Sequence, residues 1–302
     1  MELRQLRHFQ EIVRCSSFGQ AAEKLNITQP ALSKSIRNLE RSLGLTLLER
    51  HPSGVTPTEY GRVFLETVGF VTSELDRAIE ELNELKGRGR GVVRVGAGAT
   101  MMRYLGPQAV KRFMAQPEGG SVVFRQGLRG ELLAQLRRGE IDIVVGALAG
   151  ETDDDLRHEL IMSDQLAVVA DCAHPLARSG PVELAELARW QWVLPDGPEA
   201  ESDRLARAFK RAGLDGPRCA VRTQSSVFML QLVRGSEYLS YQPRALLAAD
   251  PDYAGLCAIE VAEELWPPVP VGVSYRRRGV MLQSTRRFIN RLREAAADIA
   301  TA

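Results

Sequence analysis

The chain has 302 residues, of which 44% are hydrophobic and 25% charged, and a net charge of only +1. That length allows two or three packed domains, and no run of about 18 apolar residues offers a membrane span. The near-neutral total hides an asymmetry: residues 1–62 carry +3 and residues 63–302 carry −2, a small basic head compatible with a nucleic-acid partner.

Met1-Glu2-Leu3-Arg4-Gln5 lacks the apolar core of a signal peptide, so a cytoplasmic location is expected. Leu3–Arg14 places Leu3, Leu6, Phe9, Ile12 and Val13 on one helical stripe. Ser17 with Gln20 reads as a capping box that opens a second helix, whose face Phe18, Ala21, Ala22 and Leu25 is small enough for close packing. Thr28 caps a third helix with Pro30 in its first turn. Leu32, Ile36, Leu39 and Leu43 form its buried stripe. Gln29, Pro30, Ser33, Lys34 and Arg37 are expected on the other side, where a recognition helix needs hydrogen-bonding and cationic groups. Leu45–Arg50 reads as a strand, His51-Pro52-Ser53-Gly54 as a turn, and Val55-Thr56 as the return of a wing that carries Arg50.

Phe18-Gly19-Gln20-Ala21-Ala22-Glu23-Lys24-Leu25-Asn26-Ile27-Thr28-Gln29-Pro30-Ala31-Leu32-Ser33, followed by Leu39-Glu40, Leu43-Gly44, Leu48-Glu49-Arg50 and Thr56-Pro57-Thr58, resembles the LysR-type transcriptional regulator family. The match is specific over residues 3–65 and looser beyond. Glu59-Tyr60-Gly61 departs from it, since the family often has alanine before this glycine. The resemblance implies a sequence-specific regulator of transcription that binds double-stranded DNA and a small-molecule effector. It also implies a homodimer through residues 59–86, assembly to a homotetramer, and contact with RNA polymerase.

Thr56-Pro57-Thr58-Glu59 reads as the start of a long helix, with Thr56 as cap. Phe64, Val68, Val71, Leu75, Ala78, Leu82 and Leu85 then step by 4 and 3 in alternation, a heptad seam that favours a two-stranded coiled coil. Gly87-Arg88-Gly89-Arg90-Gly91 is expected to end it as a hinge.

From Val92 strands and helices alternate, which predicts an α/β body with a mostly parallel sheet. The expected architecture is therefore α/β: an N-terminal winged helix-turn-helix over 1–58, a coiled-coil linker helix and hinge over 59–90, and an effector-binding domain over 91–302. The resemblance implies two subdomains in that last part, as in a periplasmic binding protein: subdomain I from 91–162 with 269–302, and subdomain II from 163–268. Ligands of open α/β sheets sit at strand carboxyl ends near helix N-termini. That geometry selects Ala99 and Thr100, Gln126, Gly127 and Leu128, Ala147, and Thr223, Gln224 and Ser225 as the effector cleft, suited to a small anion such as a carboxylate. Arg103, Arg125 and Arg129 are the nearby cations.

No catalytic constellation emerges. Gly96-Ala97-Gly98 has Met101 where a dinucleotide fingerprint needs a third glycine, and phosphate-loop, GxSxG and HExxH motifs are missing. Asp153-Asp154-Asp155 reads as a solvated acidic turn and Arg276-Arg277-Arg278 as a charged face. Cys15, Cys172, Cys219 and Cys257 form no CxxC pair and read as isolated reduced thiols. No metal, cofactor or enzymatic activity is expected. The alternatives are a solute-binding protein without DNA function, a thiol-redox-sensing regulator, and an enzyme with a nucleophile–base pair that the sequence does not reveal.

Overall fold

The computed structural model describes residues 1–86, 91–148, 153–196 and 200–301. The expected hinge residues 87–90 lie outside them. The head packs α1 (Leu3–Cys15), α2 (Phe18–Lys24) and α3 (Gln29–Leu43) around Phe9, Ile12, Ala21, Leu32 and Leu39, all with no measurable exposure. The Ser17 and Thr28 hydroxyls accept from the amides of Gln20 and Ala31, so both expected caps are present. Gly44, at φ +68°, ends α3 in the left-handed conformation.

The wing is the antiparallel pair β1 (Leu48–His51) and β2 (Gly54–Pro57). The Val55 amide donates to the Ser16 carbonyl at 2.9 Å, which seats the hairpin on the end of α1. Only glycine suits position 54: its φ is +135°, and a β-carbon there would lie 2.7 Å from the Ser16 oxygen. Thr56 and Pro57 belong to this hairpin, so Thr56 does not cap the next helix. Thr58 does, accepting from the Gly61 amide while donating to the Thr46 carbonyl.

The long helix α4 (Glu59–Leu85) has 27 residues and spans about 40 Å at 1.5 Å per residue. Its first turns serve the head: Phe64 lies 5.6 Å from the Phe9 ring, and Val68 is buried in the head core. Beyond them the polarity of the helix is inverted. The charged side faces the body, where the Arg77 side chain is 5% exposed and pairs with fully buried Asp142. Arg77 also donates to the carbonyls of Gly139 and Ile141, both at 3.1 Å. Glu74 accepts from Arg276 at 2.8 Å and from the Val280 amide at 2.7 Å. Further along, Glu80 binds Arg94 and Glu84 binds Ser284. The apolar side faces outward, with Val71, Leu75, Ile79, Leu82 and Leu85 between 40% and 64% exposed.

The body continues through β3 (Val92–Ala97), α5 (Leu105–Met114), β4 (Ser121–Gln126), α6 (Arg129–Arg137), β5 (Ile143–Ala147), β6 (Leu156–Asp164), β7 (Leu166–Asp171), α7 (Leu184–Leu187), β8 (Gln191–Pro195), α8 (Ala200–Arg211), β9 (Arg218–Thr223), α9 (Ser226–Val233), β10 (Ser240–Pro243), α10 (Arg244–Ala249), β11 (Leu256–Ile259), β12 (Val269–Arg276) and α11 (Gln283–Thr301). One lobe is built on a sheet ordered β4-β3-β5-β12-β6, the other on sheets β10-β7-β11 and β8-β9. The chain passes between lobes at Gln165 and again between Ile259 and Val269.

A mostly parallel sheet is not what forms. β3, β4 and β5 are parallel, as are β8 and β9, but β12 runs antiparallel to β5 and β6, and β7 runs antiparallel to both its neighbours. The second passage returns β12 beside β5 and β6, which it opposes, and β10 and β11 fold back onto β7 within the second lobe. The same topology overturns the reading of all cysteines as isolated thiols. Cys257 sits opposite Ala170 on paired β7 and β11, and the Cys172 amide donates to Gly255. Cys172 and Cys257 are thereby 5.0 Å apart at their α-carbons and form a disulfide, whereas Cys15 and Cys219 are free.

Two charged runs also differ from expectation. Arg276 is not part of a solvated face: its side chain is 8% exposed, because β12 ends against α4. Asp153 and Asp155 are held by Arg137 at 2.6 and 2.8 Å, so that turn is an ion-paired one. The Arg137 hydrogen bond holds the Asp155 carboxyl below its ordinary value, although burial opposes it.

Candidate DNA-reading head and effector cleft

Gln29 and Pro30 open α3, and Lys34 and Arg37 follow at helical spacing; all four are exposed. Ser33 departs from the expected outward set. It is 9% exposed, because it lies beside Leu32 and three residues before Ile36 on the packed side of the helix. Arg50 stands on β1 with its guanidinium carbon 4.1 Å from the centre of the Phe18 ring, a cation–π contact that holds an exposed charge over the start of α2. Behind α3, buried His8 meets the Ser35 hydroxyl at 2.8 Å. Burial, and then Arg4, lower its affinity for a proton.

The cleft residues divide between the lobes. β3, β4 and β5 are parallel and in register, with Ala97 opposite both Gln126 and Val145. Their carboxyl ends therefore bring Ala99 and Thr100, Gln126 to Leu128, and Ala147 to one edge of the first sheet. Thr223, Gln224 and Ser225 leave β9 in the second lobe. There Ser225 caps α9, accepting from the Phe228 amide, and the Thr223 hydroxyl accepts from the Ser225 amide. Those hydroxyls thus already serve local structure. The lobes meet through one apolar cluster that contains Met101 from the first and Met229, Leu230 and Tyr253 from the second.

The three candidate cations have separate fates. Arg125 lies on the outer strand, 3.7 Å from Glu140. Arg103 bridges the lobes, donating to Asp250 at 2.8 Å and to Asp252 at 2.7 Å. Arg129 remains at the cleft. It is the first residue of α6, and one of its terminal nitrogens donates to the Ala147 carbonyl at 3.0 Å. The other, Nη2, is buried without a hydrogen-bond partner among the described residues. Its neighbour Leu128 occupies the cap position and supplies no side-chain oxygen, so the amides that open α6 lack a side-chain cap. A buried donor beside an uncapped helix start suits an anionic oxygen. No sequence pattern marked Arg129 above Arg103, because their difference lies in long-range partners.

Between the start of α5 and the end of β6, the Tyr104 hydroxyl donates to Asp164 at 2.5 Å. Both are buried, and desolvation raises the proton affinity of each. A recess of about 200 Å³ lies elsewhere, between β7 and the segment that leads to β12. Its polar side chains Gln165, Arg244, Glu263 and Glu264 are all exposed, so it lacks the buried unpaired donor found in the cleft. Among the described residues no group of three or more His, Cys, Asp or Glu is placed to hold a metal ion, and no helix is long and apolar enough to cross a membrane.

Residues 3–62 match the family model of the bacterial regulatory helix-turn-helix protein, lysR family, and residues 86–297 match that of the LysR substrate binding domain. The HTH-type transcriptional regulator PcaQ of Agrobacterium fabrum is 30% identical over 99% of this chain and 96% of its own length. An H2O2-bound OxyR mutant structure from Corynebacterium glutamicum is 27% identical, covers 99% of this chain and 95% of that one, and superposes with a TM-score of 0.61. Full-length CbnR complexed with its target DNA is 22% identical, covers 98% of this chain and all of that one, and has a TM-score of 0.71, a likeness of fold alone.

Proposed function

Because this chain belongs to the lysR family, it is a DNA-binding transcriptional regulator with an effector-binding domain, and we propose how its parts divide that work. Residues 1–58 read DNA, 59–90 link head to body with 59–86 pairing two chains, and 91–302 bind the effector, with subdomain I at 91–162 and 269–302 and subdomain II at 163–268. Gln29, Pro30 and Lys34 meet base edges in the major groove, while Arg37 and Arg50 meet phosphates. Exposure of all five supports this assignment, and Ser33 is left out of it.

The observation that carries the proposal is the inverted polarity of α4. A helix that hides its arginine and shows Leu75, Ile79, Leu82 and Leu85 has a second apolar surface to meet. A copy of the same helix supplies it, and a two-fold axis then sets two heads on one dyad-symmetric site. The effector is a small anion, held by Arg129 and the start of α6 together with Thr100 and the Thr223–Ser225 loop. The protein acts in the cytoplasm as a regulator and not as an enzyme.

The test is DNA retention against salt, using a duplex that covers the region upstream of the gene. Two lost phosphate contacts in Arg37→Ala with Arg50→Ala flatten the slope of log K against log salt by about 2. A solute-binding protein without DNA function shows no retention, and no change in the double variant.

A further inference from the structure

We infer that Arg276 is the positioning residue through which the effector cleft sets the angle of α4, and with it the DNA-reading head. The inference rests on the reading above that Thr100, Arg129 and the Thr223–Ser225 loop form the effector cleft.

Two elements that leave the cleft and the lobe junction end on this one guanidinium. The first is β12. It begins at Val269, directly after the second passage between lobes, is paired on one side with β5 and on the other with β6, and ends at Arg276. The second is α6. It begins at Arg129 and ends eight residues later at Arg137, about 12 Å away along its axis. Arg276 Nη1 donates to the Leu136 carbonyl in the last turn of α6 at 2.7 Å. Its other terminal nitrogen, Nη2, donates to Glu74 of α4 at 2.8 Å.

Arg77 reinforces the joint from the α4 side. It binds the Gly139 and Ile141 carbonyls that follow α6, and it pairs with Asp142. Cations at the carboxyl end of α6 also meet the negative pole of that helix. Arg276 lies close enough to Arg77 that, after burial, this like charge is the second cause holding its proton affinity down.

The joint is buried as well as connected. The side chains of Arg77, Asp142 and Arg276 are 5%, 0% and 8% exposed. Removing one partner therefore leaves a buried charge uncompensated. The planar fork of arginine fixes two directions at once, toward α6 and toward α4, which an ammonium on a flexible stem does not. A displacement of α6 or β12 consequently moves Glu74 with it rather than breaking the bond. α4 turns as a rod between the body and the head, which it joins through Arg7–Asp76 and Gln10–Thr72.

The experiment perturbs the cleft without requiring its ligand. Asp250→Ala with Asp252→Ala removes both acceptors of Arg103 and so releases the bridge between the lobes. Affinity for the upstream duplex is measured by fluorescence anisotropy on the full chain, with and without this release, in three backgrounds: Arg276, Arg276→Lys and Arg276→Met. Thermal unfolding confirms that each background is folded, and Glu74→Ala replaces Arg276→Met if that variant is not. Release is expected to shift affinity by about fivefold or more with Arg276 present, the lower end of ordinary coupling between sites. The shift is expected to fall below about twofold in Arg276→Met or Glu74→Ala, with Arg276→Lys intermediate. An equal shift in every background overturns the role of Arg276 and leaves the cleft reading standing. No shift in any background overturns both.

Discussion

Leu82 offers the sharpest test of pairing through α4. It lies one turn from the carboxyl end of the helix and is 56% exposed in the single chain, within the strip that includes Leu75, Ile79 and Leu85. Full burial of a leucine side chain stabilises by about 1.5–3 kcal/mol. Since roughly half of Leu82 is already covered, pairing contributes about 1–1.5 kcal/mol from each chain. A symmetric dimer contains the residue twice, so Leu82→Ser is expected to cost about 2–3 kcal/mol of association energy. At 1.4 kcal/mol per factor of ten, the dimer dissociation constant rises on the order of 30- to 100-fold. Sedimentation equilibrium of the full chain measures that constant directly, with Glu66→Ser, an exposed change on the same helix, as control. A change of less than about twofold for Leu82→Ser, or an equal change for Glu66→Ser, would show that this strip is not where chains meet.

Other outcomes follow from the buried groups. His8 holds its proton more weakly in the folded head than its ordinary value of 6.5, because of burial and then Arg4. Unfolded chains therefore take up the proton first as pH falls. Stability from this residue is full above 6.5 and is lost as pH drops below it, and hydrogen exchange along α1 should quicken there in the native chain but not in His8→Gln. Reduction should lower the unfolding midpoint, since Cys172 and Cys257 close a loop of sequence separation 85, worth up to about 4 kcal/mol. In Cys172→Ser, dithiothreitol should have no further effect on a calorimetric scan. At the cleft, Arg129→Gln should weaken binding of acetate, succinate or benzoate, whichever the native chain takes, by about tenfold, the value of one charge-assisted hydrogen bond. Titration calorimetry that finds equal affinity in both proteins would remove Arg129 from the site.

The head and the long helix were legible in the amino-acid order because their signals are local. Caps lie three residues from the amides they bind, and stripes repeat every three or four residues, so Ser17, Thr28, Leu32, Ile36 and Leu39 announce their roles within one or two turns. The first body strands and α6 were visible for the same reason. Where a cue was shared between neighbouring turns, it misled: Thr56 and Thr58 look alike as caps, and only the pairing of Pro57 with Leu48 gives the role to Thr58. Ser33 presents the same ambiguity. A small polar residue beside an apolar stripe can face either way, and the close approach of the packed helices decides.

The sequence by itself determined that a basic winged helix-turn-helix precedes a heptad-patterned helix and an α/β body. Tertiary structure alone decided which charges are hidden and which are available. Arg276 and Glu74 are 202 positions apart, and Arg77 and Gly139 are 62 apart. The antiparallel return of β11 onto β7 joins Cys172 to Cys257. Arg103 is committed to Asp250 while Arg129 keeps a buried donor unpaired among the described residues. Each of these depends on which distant strand or helix occupies the neighbouring space, and periodicity along the chain carries no record of that. The long helix shows both sides of the division: its pattern was readable as a seam, but only the packed body revealed that the opposite, charged side is the one buried within a single chain.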